Sequence, residues 1–475
     1  MSSISSEIPL ERLQDSETAF ESLPSDPSSL PVPNPTRSFW IDTPDANPLA
    51  GQGSQGPLTQ EADICIIGSG ITGVSAAHHI AEAVQRRAVP SQSGNNPLRV
   101  VILEARDFWS GATGRNGGHL TPLVFFDFCG YQARYGTEQA VRALALEDHT
   151  ASEIVKLIRE EGWADSVDLV EGGHATAFLT ESEYTAAKAD FDAAKEAGVD
   201  LTGVRWVSTA EMQSKYGTLH PGVEIGGHNL WPLKFVTHLY RLAKSLTPDL
   251  ELSLHTRTPV GKITPSSDSR RWALETPRGI LRTNYIIHAT NAYASHLLPQ
   301  LAGPGGIVAT RGQVCAVRAP GLKWNCSWDA NQGFEYWFPR PQQDSDAPPL
   351  IILGGGREVG PGFEYNQTDD SVVDEPVGGV LRRFLPAVFP EQFEDGVEPE
   401  MEWTGIMAYT KSRDPFVGPV IGETGQYISA GYSGHGMPRA FSCAAVVAGM
   451  ALADMTGKEW KAPEWFPEAF LTTRK

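Results

Sequence analysis

Cysteine is scarce in this chain, and its placement builds no framework. The five cysteines, Cys65, Cys129, Cys315, Cys326 and Cys443, are odd in number, scattered and free of C-x-x-C spacing. That pattern excludes a disulfide scaffold, gives no metal framework and fits a reducing compartment. Long apolar runs are missing too. No stretch reaches the ~18 consecutive apolar residues of a membrane span. The N-terminus has no basic segment followed by an apolar run, and it carries Glu7, Glu11, Asp15, Glu17, Glu21 and Asp26. Neither a secretory signal nor a mitochondrial presequence reads that way. The final Thr-Arg-Lys is not the Ser-Lys-Leu peroxisomal signal. A cytoplasmic location is the expectation. Positive charge is also short. Lys and Arg number 38 against 57 Asp and Glu, a formal net charge of -19. That balance argues against nucleic acid or an anionic membrane as a general partner.

What is present is a chain of 475 residues with an ordinary 41% hydrophobic content, long enough for more than one domain. Its most informative stretch is 63–120. Ile64, Ile66 and Ile67 form a β-branched run like a strand buried on both faces. Gly68, Gly70 and Gly73 follow at G-x-G-x-x-G spacing, with Ser69, Ile71 and Thr72 between them. The three glycines serve a tight turn, close approach of a pyrophosphate, and helix–sheet packing. The helix expected from about Ile71 to Arg87 points its N-terminal N–H groups at that pyrophosphate. A second strand, Arg99 to Leu103, ends on Glu104, whose carboxylate suits ribose hydroxyls. Glu104 comes later than the usual ~20 residues after the glycines. The Pro-, Ser-, Asn- and Gly-rich stretch 89–98 reads as an inserted surface loop that accounts for the delay.

Residues 1–60 are rich in Ser, Pro, Asp and Gly and read mostly as a flexible leader, with Ser38-Phe39-Trp40-Ile41 as a patch that docks on the body. Beyond the opening unit, helical and strand-like patterns interleave. Helices are expected over 137–162, 181–196, 209–216, 235–246, 372–389 and 440–454. Strand patterns fill 250–289, 306–354 and 397–407. The arrangement implies a dinucleotide domain with a β-rich domain inserted into it. The expected division is 61–165, 221–300 and 401–475 for the first, and 166–220 and 301–400 for the second.

After Glu104, Ala105 and Arg106 comes Ser110-Gly-Ala-Thr-Gly-Arg-Asn-Gly-Gly-His119. This run supplies hydroxyl and backbone donors within ten residues, and its glycines let the backbone lie against a flat ring. Here the chain resembles the D-amino-acid oxidase superfamily of FAD-dependent oxidoreductases. It looks most like the branch of glycine/sarcosine oxidase and gamma-glutamylputrescine oxidase. The resemblance spans roughly Ser38 to Asp454. Its carriers are GSGITG at 68–73, LEAR at 103–106, SGATGRNGGHL at 110–120, and SAGYSGHGMPRAFSCAAVVAGMALAD at 429–454. It implies an α/β, two-domain, FAD-binding Rossmann-type fold with an inserted antiparallel-β-rich substrate domain. It also implies cofactor contacts from Gly111, Ala112, Thr113, Arg115, Asn116, Gly117, Gly118 and His119, and from Val260, Thr290 and Asn291. The late glycine turn, Gly431, Ser433, Gly434, His435, Gly436 and Met437, opens the last helix. In the family that helix N-terminus faces the flavin pyrimidine, where it favours negative charge. The family's covalent attachment points map near Arg115 and near Ile406 or Met407, none of which makes such a bond. Dissociable, non-covalent FAD is therefore the expectation.

On the substrate side, glycine-oxidase-like relatives carry G-L-R-P where this chain has Gly405-Ile406-Met407-Ala408. Their arginine pairs the substrate carboxylate, and here a thioether replaces it. The replacement favours an amine without a carboxylate, or a larger apolar amine. The alternative is a clamp from Arg311 or Arg340. Tyr336, Trp337 and Tyr409 are pocket walls or plain core. His119 either moves protons or is a structural histidine. Lys323 resembles the oxygen-activating lysine of monomeric sarcosine oxidase, or is an exposed loop lysine. The expected activity is oxidation of a C–N bond of a small-molecule amine, by hydride transfer to flavin N5, with O2 as acceptor. The alternatives are a monooxygenase or dehydrogenase of the same fold, or a non-catalytic flavoprotein. A second dinucleotide fingerprint is lacking, because Gly354-Gly355-Gly356 is a hairpin turn.

Overall fold

The computed structural model describes residues 15–87, 96–268, 270–320, 322, 324–342 and 347–475. The opening strand Ile64–Ile67 is buried along its whole length. It pairs in parallel with Leu98–Leu103 on one side and Tyr285–His288 on the other. Leu250–His255 extends the sheet beyond the former, and Gln426–Ala430 and Phe416–Pro419 extend it beyond the latter. Only the last pairing is antiparallel.

Alternation along the opening strand explains why both faces are covered. Ile64 and Ile66 join the helical side of the core, with Val74, Ala77, Leu239, Ala444 and Val447. These residues come from helices Ile71–Gln85, Pro232–Ser245 and Met437–Thr456. Cys65 and Ile67 point the other way, into a cluster with Trp272, Leu274 and Leu281. That cluster belongs to a three-stranded antiparallel meander, Lys262–Pro265, Trp272–Thr276 and Gly279–Thr283. Met437–Thr456 is long and apolar enough to cross a membrane by length and composition, yet it is packed within this core.

An eight-stranded sheet forms the second layer system. Its order is Met401–Tyr409, Val308–Arg318, Leu350–Gly355, Glu335–Pro339, Ser327–Ala330, His174–Ala177, Gly222–Ile225, Arg205–Val207. The pairing of Ser327–Ala330 with His174–Ala177 is parallel and the rest are antiparallel. Its strands Gly222–Ile225 and Met401–Tyr409 lie beyond the expected divisions at 221 and 401. One face is closed by helix Glu375–Val388, which buries Leu381, Phe384 and Leu385 against Trp328, Trp337, Ile351 and Leu353. The other face looks toward the first sheet.

The flexible leader expected over 1–60 needs correction for residues 15–60. They form a strap laid over both sheets. Phe20 packs edge-on to Tyr365 at 5.2 Å. The Ser28 N–H donates to Ser295 Oγ at 2.9 Å, and the Thr36 N–H to the Asp370 carbonyl at 2.7 Å. Trp40 is fully buried among Phe39, Trp231 and Phe338, and its indole N–H donates to the Asn116 carbonyl at 2.6 Å. Composition misleads here because few apolar side chains suffice when each fills a preformed hollow. The inserted loop expected over 89–98 lies mostly outside the described residues. Replacing Trp40 with alanine is expected to cost about 3–5 kcal/mol, as for other buried aromatics cut to alanine. Chemical denaturation of the two proteins measures it, and an unchanged midpoint would show that the strap is not part of the folded core.

Candidate active site

The parallel register brings Ile67, Leu103 and His288 to one level at the carboxyl edge of the first sheet. A cavity of about 840 Å³ opens there and runs between the two sheets. Its cradle starts at Gly68. This residue sits at φ +109°, and a Cβ on it would lie 2.5 Å from the Ala289 carbonyl oxygen. Only glycine turns here without strain. The Glu104 carboxylate ties the glycine turn to the second strand. It accepts from the N–H and hydroxyl of Ser69 at 2.9 and 2.8 Å, and from the Arg106 N–H at 2.9 Å. Thr113 Oγ1 accepts from the Ile71 N–H at 3.2 Å, joining the second glycine-rich run to the first helix.

Most of the expected cofactor residues line this cavity. They are Gly68, Gly70, Ile71, Thr72, Glu104, Ala105, Arg106, Gly111, Ala112, Thr113, Arg115, Asn116, Gly117, His119, Val260, Thr290, Asn291, Ser433, Gly434, His435, Gly436 and Met437. Ser69, Gly73, Gly118 and Gly431 lie behind the lining as its frame. Arg106 and Arg115 reach it with their charges already engaged. Arg106 Nη1 donates to Asp370 at 2.8 Å, Arg115 Nε lies 3.7 Å from the same carboxylate, and both donate to the Ser110 carbonyl. Asn291 Oδ1 accepts from the Gly431 N–H at 3.1 Å. Ser433 bridges to the substrate sheet, its N–H donating to the Ala408 carbonyl at 2.7 Å.

Beneath the last helix, buried Glu147 accepts from Arg439 Nε at 2.6 Å and sits 3.5 Å from His435 Nδ1. Burial alone would raise this carboxyl, but Arg439 and His435 hold it below the ordinary range.

On the substrate side, Gly405, Met407 and Tyr409 alternate onto the cavity face of their strand, beside Gly312 of the next one. A Cβ on Gly312 would meet Met407 Cε at 2.8 Å, so the glycine leaves the thioether its room. Tyr336 also lines the cavity, edge-on to His119 at 5.5 Å between centroids. His119 Nδ1 lies 3.3 Å from the Gly117 carbonyl, and its Nε2 is buried with no partner among the described residues. Burial, with His174 nearby, lowers its pKa to about 4, so the ring is neutral near pH 7.

Three expectations change. Trp337 is not a pocket wall. It alternates to the far face from Tyr336 and stacks on Trp328 at 5.7 Å. Arg311 is spent on Glu364 and lies outside the cavity. Arg340 is spent on Asp168 and sits over Phe39 and Trp231 at 4.7 and 4.4 Å, so it anchors the strap instead. Lys323 lies outside the described residues. Residues that sequence reasoning passed over include Leu30 and Pro31 of the strap, and Tyr293 and His296. Arg357 closes the stretch 350–357, which resembles the family's hairpin on the substrate side, and it lines the cavity. The strap residues carried no such signal. Outside the cavity, His78, His79 and Glu82 gather three potential ligand atoms within 4.8 Å. That carboxylate already pairs with Arg86 at 2.9 Å.

The cradle fits a dinucleotide on the molecule's own terms. Glycine surfaces face the cavity at its phosphate end. Thr290 Oγ1 and the Tyr293 hydroxyl line it as buried polar atoms without partners among the described residues. The fold and cradle together define a two-domain α/β protein with a dinucleotide-binding cradle between its sheets. Residues 63–450 match the family described as FAD dependent oxidoreductase, and the chain belongs to that family. It is 26% identical over 385 residues to the gamma-glutamylputrescine oxidoreductase of Escherichia coli (strain K12), covering 79% of this chain and 80% of that one. It is 23% identical over 404 residues to a glycine oxidase of Pseudomonas aeruginosa, covering 83% and 95%. In structure it is similar to glycine oxidase from Geobacillus kaustophilus, with a TM-score of 0.64 at 21% identity, covering 88% and 100%.

Two measurements follow from this geometry. Gly68→Ala is expected to strain the turn by about 1–3 kcal/mol and to strip most FAD from the purified protein. The flavin-to-protein absorbance ratio reads it, and full flavin content would remove Gly68 from the cradle. The second concerns Glu335 and Glu358, which are both fully buried. Burial and their mutual proximity push Glu335 well above the carboxylate range, and burial pushes Glu358 up too. Such a pair stabilises the fold while protonated, and that stability is lost as pH rises through the raised folded-state values. Glu358→Gln is expected to flatten the fall in Tm as pH rises above the ordinary carboxylate range. Parallel curves for the two proteins would refute the raised value at Glu358.

Proposed function

We propose that this protein oxidises a CH–N bond of a small-molecule amine or amino-acid-like substrate, with O2 as the acceptor. The observation that carries this reading is one continuous cavity. It joins the glycine cradle at Gly68–Thr72 to a pocket walled by Tyr336, Met407 and Tyr409. The relatives named glycine oxidase and gamma-glutamylputrescine oxidoreductase support the substrate class. When bound, FAD supplies the two-electron acceptance that the chain's own side chains lack. The residues of Gly68–Gly73, Glu104–Arg106, Gly111–His119, Val260, Thr290–Asn291 and Gly431–Met437 would hold it.

The chain's own groups do the rest. Tyr336 and Tyr409 present aromatic surface suited to an amine. His119 stands edge-on to Tyr336 at the cavity wall, and its burial keeps the ring uncharged near pH 7, so it adds no positive charge beside a bound amine. The N-terminus of Met437–Thr456 aims its positive end into the cavity, favouring negative charge there. A cytoplasmic setting belongs to the same reading and rests on five free thiols.

The test is anaerobic. An amine panel without NAD(P)H is expected to bleach the flavin absorbance, and air is expected to restore it with release of hydrogen peroxide. Acid precipitation is expected to leave the pellet colourless, since neither Arg115 nor Met407 makes a flavin bond. Bleaching by NAD(P)H alone would reverse the assignment in favour of a monooxygenase. A yellow pellet would overturn non-covalent binding.

A further inference from the structure

The helix that leaves the glycine turn, Ile71–Gln85, carries a second group of chemistry-bearing side chains in its later turns. Glu82 stands four residues after His78 and three after His79, so both rings reach its carboxylate. None of the three lines the cavity. Glu82 Oε2 is 3.9 Å from His78 Nε2 and 3.3 Å from His79 Nδ1. The carboxylate divides its oxygens. Oε1 takes the Arg86 guanidinium at 2.9 Å, which leaves Oε2 to the two histidines.

Hydrogen bonding fixes which nitrogen His79 offers. Its Nε2 lies 3.1 Å from the Phe441 carbonyl oxygen, which only accepts, so Nε2 carries a proton. Nδ1 is left facing Glu82 with its lone pair. Metal-bound histidines give their other N–H to a carbonyl or carboxylate in this way. His78 is buried, and its Nδ1 has no partner among the described residues. Burial pushes its pKa down to about 3, so the ring is neutral near pH 7 and free to present a lone pair at Nε2. Burial raises Glu82, but the two histidines and Arg86 together draw it down to about 2, so it is ionised. Lone pairs that converge repel unless a cation lies between them. A proton on His79 Nδ1 serves one ring and leaves His78 Nε2 beyond hydrogen-bond reach of Oε2. A metal ion serves all three.

We propose that His78, His79 and Glu82 form a site for zinc or a similar divalent transition-metal ion, at the seam between helices Ile71–Gln85 and Met437–Thr456. Imidazole nitrogens select such ions over magnesium and calcium, and three protein ligands leave a fourth position for water. His79 and Glu82 are partly exposed, which gives the ion a route from solvent. Arg86 is 71% exposed and turns into solvent as a second cation arrives. Phe441, on the last helix, packs its ring edge-on to His79 at 4.5 Å. A metal on Nδ1 makes the Nε2 proton a stronger donor to the Phe441 carbonyl, so the ion stiffens the seam.

The probe is zinc itself. FAD-loaded protein is stripped with EDTA and titrated with zinc chloride, with magnesium chloride as the control, and read by equilibrium dialysis and Tm. The expected result is saturable uptake of one zinc per chain, a Tm that rises with occupancy, and no uptake of magnesium. Glu82→Gln and His79→Gln are each expected to weaken zinc by roughly 100-fold or more, above the cost of losing a group that merely orients a ligand. The flavin content of each variant reports its folding. Cys129→Ser is expected to bind zinc as the wild type does, which separates this site from an exposed thiol. In the wild-type protein, zinc is expected to block modification of His79 by diethyl pyrocarbonate, a readout that needs no variant. No zinc uptake, uptake undiminished by both glutamine variants, uptake lost in Cys129→Ser, or His79 modification unchanged by saturating zinc would each overturn the proposal.

Discussion

Three parallel strands must end level for this site to exist. Ile64–Ile67 is held on both sides by backbone pairing, and Ile67 stands opposite Leu103 on one side and His288 on the other. A slip of one residue would exchange the faces of the strand. Ile64 and Ile66 would then meet the meander, and Cys65 and Ile67 the helices. The two apolar clusters on either side thus lock the register. The register in turn places Gly68 against the Ala289 carbonyl, where a side chain has no room. The helix that follows has its direction fixed by the same turn. Everything the cradle offers an anionic cofactor, from the helix N-terminus to the Glu104 and Thr113 contacts, descends from that alignment.

The second sheet is tied to the first by polar stitches at the cavity's rim. Asn291, at the end of one strand of the first sheet, receives the Gly431 N–H. Ser433, two residues further on, donates its N–H to the Ala408 carbonyl of the substrate strand. Arg115 spans the same gap, donating to the Thr404 carbonyl at 2.9 Å. The cofactor wall and the substrate wall are therefore one hydrogen-bonded construction. The strap reinforces it from outside, with Thr36 bonded to Asp370 and Trp40 to Asn116. Asp370 is the common counter-charge, buried and shared by Arg106 and Arg115.

What was legible in the sequence was local in the chain. The glycine spacing at Gly68–Gly73, the strand that precedes it and the run to His119 all lie within sixty residues, and each has its own backbone logic. Helix Glu181–Glu196 was expected at its observed bounds, and the structure shows a capping box between Thr180 and Glu183, three residues apart, at its start. What was not legible depended on distant partners. Arg311 and Arg340 read as clamps because Glu364 and Asp168 stand 53 and 172 residues away from them. Tyr336 and Trp337 could not be ranked, since alternation says that adjacent residues face opposite ways but not which way is inward. The strap failed for a related reason. Trp40 has no apolar periodicity around it, and its burial is supplied by Trp231 and Phe338 from elsewhere in the chain.

Charge accounting sets Arg357 apart. The attraction of a cation to an aromatic face is worth about 0.5–2 kcal/mol, while removing an ion from water costs several kcal/mol. The rings of Phe334, Tyr409 and Tyr365, with two long hydrogen bonds to the Phe363 carbonyl and the Tyr409 hydroxyl, offset part of that cost. A carboxylate at van der Waals distance would offset more, and at the other five buried arginines, Arg106, Arg115, Arg311, Arg340 and Arg439, the chain provides one. At Arg357 the nearest acid is Glu358, and its environment next to Glu335 draws it toward the neutral state. The departure at Met407 fits the same logic, because a second arginine there would crowd like charge around Tyr409. The thioether instead gives apolar surface beside a single cation.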